Sequence, residues 1–136
     1  MDPTMTASVR DALKLAADAA ARHPALDLLL LFGSQARGEA HGASDWDFGF
    51  LSRPGLDVEQ LLADLVTATR SSEVDLVNLD RAGGQLRMRA ARDGVVVYES
   101  RPGAFADFAF EAASFWCDAE PILCRAYERL LAEVAR

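Results

Sequence analysis

A chain of 136 residues, 51% hydrophobic and 26% charged, is long enough for one domain with a moderate core and too apolar to be disordered. Its formal net charge of −7 excludes broad, sequence-independent binding to nucleic acid, which depends on neutralising phosphates with Lys and Arg, but leaves a metal-bound nucleotide open as a ligand. No long apolar run follows a basic start and none reaches about eighteen residues, so neither a signal peptide nor a membrane span is expected, and a cytoplasmic location follows by default.

In chain order, Val9, Ala12, Leu13, Ala16 and Ala20 recur at helical spacing, which predicts a helix over Thr6 to Arg22 that His23-Pro24 ends. Leu26 to Phe32 is an almost unbroken apolar run, short for a helix and suited to a buried strand. It stops at Gly33-Ser34, where glycine lets the backbone bend and approach a ligand closely. A short helix over Ser34 to Glu39 would then point free N–H groups at an anion, such as a triphosphate. Ser34 also fits a plain helix cap, and Arg37 equally fits a surface pair with Glu39.

A second strand is predicted at about Trp46 to Leu51. Alternation there sends Asp45, Asp47 and Gly49 to one face and Trp46, Phe48 and Phe50 to the other, separating chemistry from core. Two side-by-side carboxylates resist joint ionisation unless a cation lies between them, and hard oxygen donors suit Mg²⁺. Gly49 is expected to leave room for a ligand. After a turn at Ser52-Arg53-Pro54-Gly55 and a helix over Val58 to Thr69, a strand at Val74 to Asn78 carries Asp75, the choice for a third carboxylate. Two ions, roughly 3.5–4 Å apart, would then activate an attacking hydroxyl and neutralise the departing pyrophosphate.

A helix over Gly84 to Arg92 carries Arg87, Arg89 and Arg92, most simply a solvated face, and a strand follows at Val95 to Tyr98. Beyond the Ser100-Arg101-Pro102-Gly103 turn, Phe105, Phe108, Ala112, Phe115 and Trp116 form one helical stripe; Ile122, Leu123, Tyr127, Leu130, Leu131 and Val134 form another past Pro121. Two helices or one kinked helix fit, as core or as a partner's docking surface. Cys117 and Cys124 read as buried thiols, and with His23 and His41 far off in sequence no tetrahedral zinc set is visible. The alternation of elements predicts an α/β fold, a mixed sheet flanked by helices, in one domain over residues 1–136: a core to about residue 100 and a helical tail from about 102.

Gly33-Ser34-Gln35-Ala36-Arg37-Gly38 followed by Ser44-Asp45-Trp46-Asp47 resembles the signature of the nucleotidyltransferase superfamily related to DNA polymerase beta. With the third strand, the Gly94–Glu99 strand and the helical tail, the chain is most similar to the minimal nucleotidyltransferases, specifically the MntA-type antitoxins of HepT–MntA toxin–antitoxin pairs. The resemblance implies an antitoxin adenylyltransferase that moves AMP from Mg-ATP to a tyrosine of a partner toxin, a HEPN-domain ribonuclease. Carried over, Gly33 and Ser34 bind the triphosphate with support from Arg37, Asp45 and Asp47 ligate two Mg²⁺, and Asp75 ligates the catalytic ion and helps deprotonate the acceptor. Gly49 departs from the family, whose second strand usually continues with an aliphatic residue. Two other readings stay open: a nucleotidyltransferase acting on a small molecule such as an aminoglycoside, and a non-catalytic module that neutralises a partner by masking it.

Overall fold

The computed structural model describes residues 7–33, 45–119, 129, 132 and 133. Its elements run α1 (Ala7–Ala20), β1 (Leu26–Phe32), β2 (Trp46–Ser52), α2 (Val58–Thr69), β3 (Val74–Asn78), α3 (Gly84–Asp93), β4 (Val95–Glu99) and α4 (Ala104–Ala119). The predicted strands and helices agree to within two residues at each described end. The short helix expected over Ser34 to Glu39, and the second apolar stripe from Ile122 to Val134, lie outside the described residues.

The four strands form one mixed sheet in the order β3-β2-β1-β4. β1 pairs antiparallel with β2 and with β4, whereas β2 and β3, joined through α2, run parallel. Such a parallel crossover is what a strand–helix–strand sequence produces.

Both faces of the sheet are covered, which is why β1 is apolar at nearly every position. Leu26, Leu29 and Leu31 join Trp46, Phe48 and Phe50 of β2, Ala12, Leu13 and Ala16 of α1, and Leu61 and Leu65 of α2 in one core layer. Leu28 and Leu30 face the other way, onto Leu79, Met88 and Ala91, and onto Phe108 and Ala112 of α4. Leu26 and Leu29 reach the same layer because the β1–β2 register shifts between Leu26 and Leu28, a bulge that restarts the alternation.

Each helix is tied down by particular bonds. Asp57 caps α2 by accepting from the Gln60 N–H at 3.0 Å, and Arg70 closes it in the left-handed conformation at φ 55°. His23 Nε2, nearly buried at the end of α1, lies 2.8 Å from Asp64 Oδ2 of α2. That hydrogen bond holds the Asp64 carboxyl below the usual carboxylate range against the opposing effect of burial, with a smaller contribution from Gln60.

On the opposite face, Arg87 is a strut between elements, not part of a solvated face. Its guanidinium donates to the Leu79 carbonyl at 2.9 Å, lies 3.6 Å from Glu111 of α4, and stands 5.2 Å over the Phe108 ring. Arg89 and Arg92 are exposed, as expected.

The predicted α4 stripe needs correction at one end. Phe108 and Ala112 are buried and Phe105 is half-buried, but Phe115 and Phe110 are more than half exposed. The buried stripe continues through the small residues Ala109 and Ala113, while the Phe115 ring lies at the start of α3, against Gly84. Among the described residues, no helix is long and apolar enough to cross a membrane.

Candidate active site

The end of the sheet where β1 leaves and β2 and β3 enter gathers the predicted chemistry. Phe32 pairs with Asp47, and Asp47 with Asp75, so one row crosses three strands. Paired residues of neighbouring strands share a face, and Asp45, two residues before Asp47, shares it too. Asp45, Asp47 and Asp75 therefore project from the face that α3 and α4 cover only at its other end. Asp45 and Asp75 are exposed and Asp47 is half-buried.

Trp46 and Phe48 anchor the acidic strand from behind. Both are buried, and their rings stack at 6.1 Å with planes 6° apart. They belong to the core layer under α1 and α2, as the alternation predicts. The Trp46 N–H donates to the Glu73 carbonyl at 2.8 Å, which locks the start of β2 to the start of β3.

Gly33 follows directly on the row. Its φ of 82° lies in the left-handed region that glycine adopts at no steric cost. A Cβ there would also stand 2.4 Å from Asp47 Oδ2, inside any tolerable contact. Position 33 thus needs glycine twice over, once for the turn and once because the Asp47 carboxylate lies against its backbone. Ser34 and Arg37, expected to bind phosphate with it, lie outside the described residues.

Gly49 does not open a ligand space. A Cβ at that position would meet Leu79 Cδ1 at 2.8 Å, so the missing side chain admits the buried Leu79 into the core. The departure from an aliphatic residue at this position is thereby accounted for by packing.

One residue of this face was not singled out by sequence. Glu73 precedes Asp75 by two residues, is exposed, and stands where the β2–β3 ladder begins. The same period-two spacing that groups Asp45 with Asp47 would have found it.

Among the described residues, no three Asp, Glu, His or Cys side chains stand close enough together to hold a metal ion as they are oriented. The backbone nonetheless sets Asp47 and Asp75 at paired positions on adjacent strands, with Asp45 two residues before Asp47. The donors, all carboxylate oxygens, match a hard divalent cation.

Comparison with known proteins follows the same residues. The model of the family described as polymerase beta, nucleotidyltransferase matches residues 15–102, which include Gly33 and all three aspartates. Protein adenylyltransferase MntA of Aphanizomenon flos-aquae (strain 2012/KM1/D3) is 32% identical over 97 residues, covering 62% of this chain and 65% of the relative, so the match spans less than two thirds of that protein. A crystal structure of a toxin–antitoxin with AMP-PNP superposes with a TM-score of 0.65 at 26% identity, covering 94% of this chain and 98% of the other. A chain in the structure of a tri-AMPylated Shewanella oneidensis HEPN toxin in complex with MNT antitoxin shares the fold, with a TM-score of 0.59 at 23% identity over 95% and 97% of the chains. With a glycine turn laid against an Asp-X-Asp strand, a third aspartate one strand further on and a family match across all of them, the chain belongs to the polymerase beta nucleotidyltransferase family.

Proposed function

We propose that this chain is an antitoxin protein adenylyltransferase, which transfers AMP from Mg-ATP to a tyrosine of a HEPN-type ribonuclease toxin and so neutralises it. The observation that carries the reading is the row of Phe32, Asp47 and Asp75 across three strands, with the Gly33 turn laid against Asp47 and Asp45 on the same face. The resemblance to the adenylyltransferase MntA and to a toxin–antitoxin structure holding AMP-PNP supports protein as acceptor and ATP as donor.

In this reading Asp45, Asp47 and Asp75 hold two Mg²⁺. Ions held by these carboxylates would supply charge compensation for the triphosphate and for the attacking oxygen. Gly33, Ser34 and Arg37 receive the phosphates: the open backbone at Gly33 admits them closely, and Ser34 and Arg37 supply donors. The acceptor tyrosine oxygen attacks the α-phosphorus, its proton passes toward the Asp75 carboxylate, and the bond to the bridging oxygen breaks to release pyrophosphate. Trp46 and Phe48 keep the carboxylate strand fixed while this happens, since both rings are locked in the core.

The test is the intact mass of the HEPN-domain partner after incubation with this chain, ATP and Mg²⁺, with an Asp45→Asn, Asp47→Asn double variant as control. A gain of one or more AMP units from the native chain alone is expected. Tight binding and inhibition without any mass change, or an equal gain from the double variant, would overturn the proposal, the first in favour of a masking module.

A further inference from the structure

We infer that the free edge of β3 is the docking strand for the acceptor, which binds as an extended, basic segment laid beside Asp75. This rests on the protein-acceptor reading above and adds how the acceptor is held.

In the sheet order β3-β2-β1-β4, β3 has, among the described residues, a neighbour on one side only. Alternate residues of a parallel ladder bond the neighbouring strand. The Glu73 carbonyl accepts from Trp46 and the Leu79 N–H donates to Phe50, at 2.8 and 2.9 Å, and the register between them is unbroken from Trp46–Val74 to Phe50–Asn78. Asp75 and Val77 therefore direct their N–H and C=O toward β2, together with the Glu73 carbonyl and the Leu79 N–H, while the Glu73 N–H donates to Ser71 Oγ and the Leu79 carbonyl accepts from Arg87. Val74 and Leu76, which lie between, direct N–H and C=O outward, and among the described residues nothing bonds them. Such an edge is completed by another extended backbone.

The other edge is a poorer template. β4 shifts register against β1 between Leu29 and Leu30, and a bulge of this kind disrupts further pairing. β3 has no such break, and Val74–Asn78 contains neither proline nor lysine, the residues that commonly guard an edge.

Position selects the occupant. A residue paired beside Asp75 on an added strand shares its face at a cross-strand Cα separation of about 4.5–5.5 Å. A tyrosine there is presented to the carboxylate row. The exposed Glu73 and Asp75 line the approach, and the chain carries a net charge of −7, so a segment with Lys or Arg flanking the tyrosine is the complementary one.

The experiment is residue-resolved amide hydrogen exchange on the native chain, alone and in complex with the HEPN-domain partner, run alongside AMP transfer. The Val74 and Leu76 amides should slow by about tenfold or more in the complex, while Asp75 and Val77 are slow in both states. Leu76→Pro, which removes an outward donor and spares the β2 ladder, should weaken the complex about three- to tenfold relative to Leu76→Ala. A complex that transfers AMP while both amides exchange at their free rates would overturn the inference and leave the adenylyltransferase reading standing. Protection of both amides without any transfer would keep the docking edge and remove the enzyme reading. Since exchange is read on the native chain, the test survives a Leu76→Pro variant that fails to fold.

Discussion

At the scale of single residues, Gly33 is the position where backbone and chemistry are least separable. Its positive φ alone makes an alanine cost on the order of 1–2 kcal/mol. The added methyl would also displace the Asp47 carboxylate, which has Oδ2 2.4 Å from where the Cβ would be. Gly33→Ala should thus lower AMP transfer far more than stability, by at least about a hundredfold, given what small misplacements of reacting groups cost. Transfer kinetics measured beside chemical denaturation decide this, and a variant that loses stability but transfers at the native rate would refute the role. Glycine at the end of an apolar run was legible as a turn. Its contact with Asp47 was not, because it depends on how β1 and β2 align, and that register is a pairing between segments.

At the scale of elements, the α3–α4 layer is organised around Leu79 and Arg87. Leu79, just past β3, fills the space over Gly49, and Arg87 of α3 reaches back to the Leu79 carbonyl while stacking on Phe108 of α4. Gly49→Ala is expected to destabilise by about 1–3 kcal/mol, the usual result of overfilling a packed core. Leu79→Ala alone should cost about 2–5 kcal/mol through the cavity it leaves. In the double variant the new methyl occupies part of that cavity, so urea denaturation should return a loss smaller than the sum of the two. Strict additivity would mean that the two positions do not share the space. The exposed Phe110 and Phe115 show the same contrast between spacing and packing: a helical stripe records which positions are apolar, but the way α4 is seated on the rest of the fold decides which of them is covered.

At the scale of the whole molecule, the sheet divides labour between its faces and ends. One face is sealed by α1 and α2; the other is covered by α3 and α4 at one end and carries the aspartates at the other. The segment that ends α1 is joined to α2 by the nearly buried pair of His23 and Asp64, and this gives the fold a defined acid sensitivity. The Asp64 carboxyl titrates lower folded than unfolded, mainly through its bond to His23, so ionised Asp64 favours the native state. The contribution is complete above the unfolded aspartate value of about pH 4 and is lost as the pH falls through the lower folded value. Denaturation midpoints of the native chain and of Asp64→Asn should differ at pH 5, and the gap should close in stronger acid. A gap that widens on acidification would show the opposite linkage.

Elements with their own hydrophobic period needed no tertiary information. The strands at Leu26–Phe32 and Val74–Asn78 and the helix at Val58–Thr69 were legible at both ends, since local apolar patterning and turn residues determine them. So were the acidic face of the second strand and the aromatic face behind it, because a period of two sorts side chains whatever the strand's neighbours. Strand order, the parallel pairing of Asp47 with Asp75, the exposure of Phe115, the filling of Gly49 by Leu79 and the outward backbone of Val74 and Leu76 belong to the folded molecule. Each is a relation between segments distant in sequence, set by the packing of two helical layers on one sheet, and no local pattern records which pairs will meet.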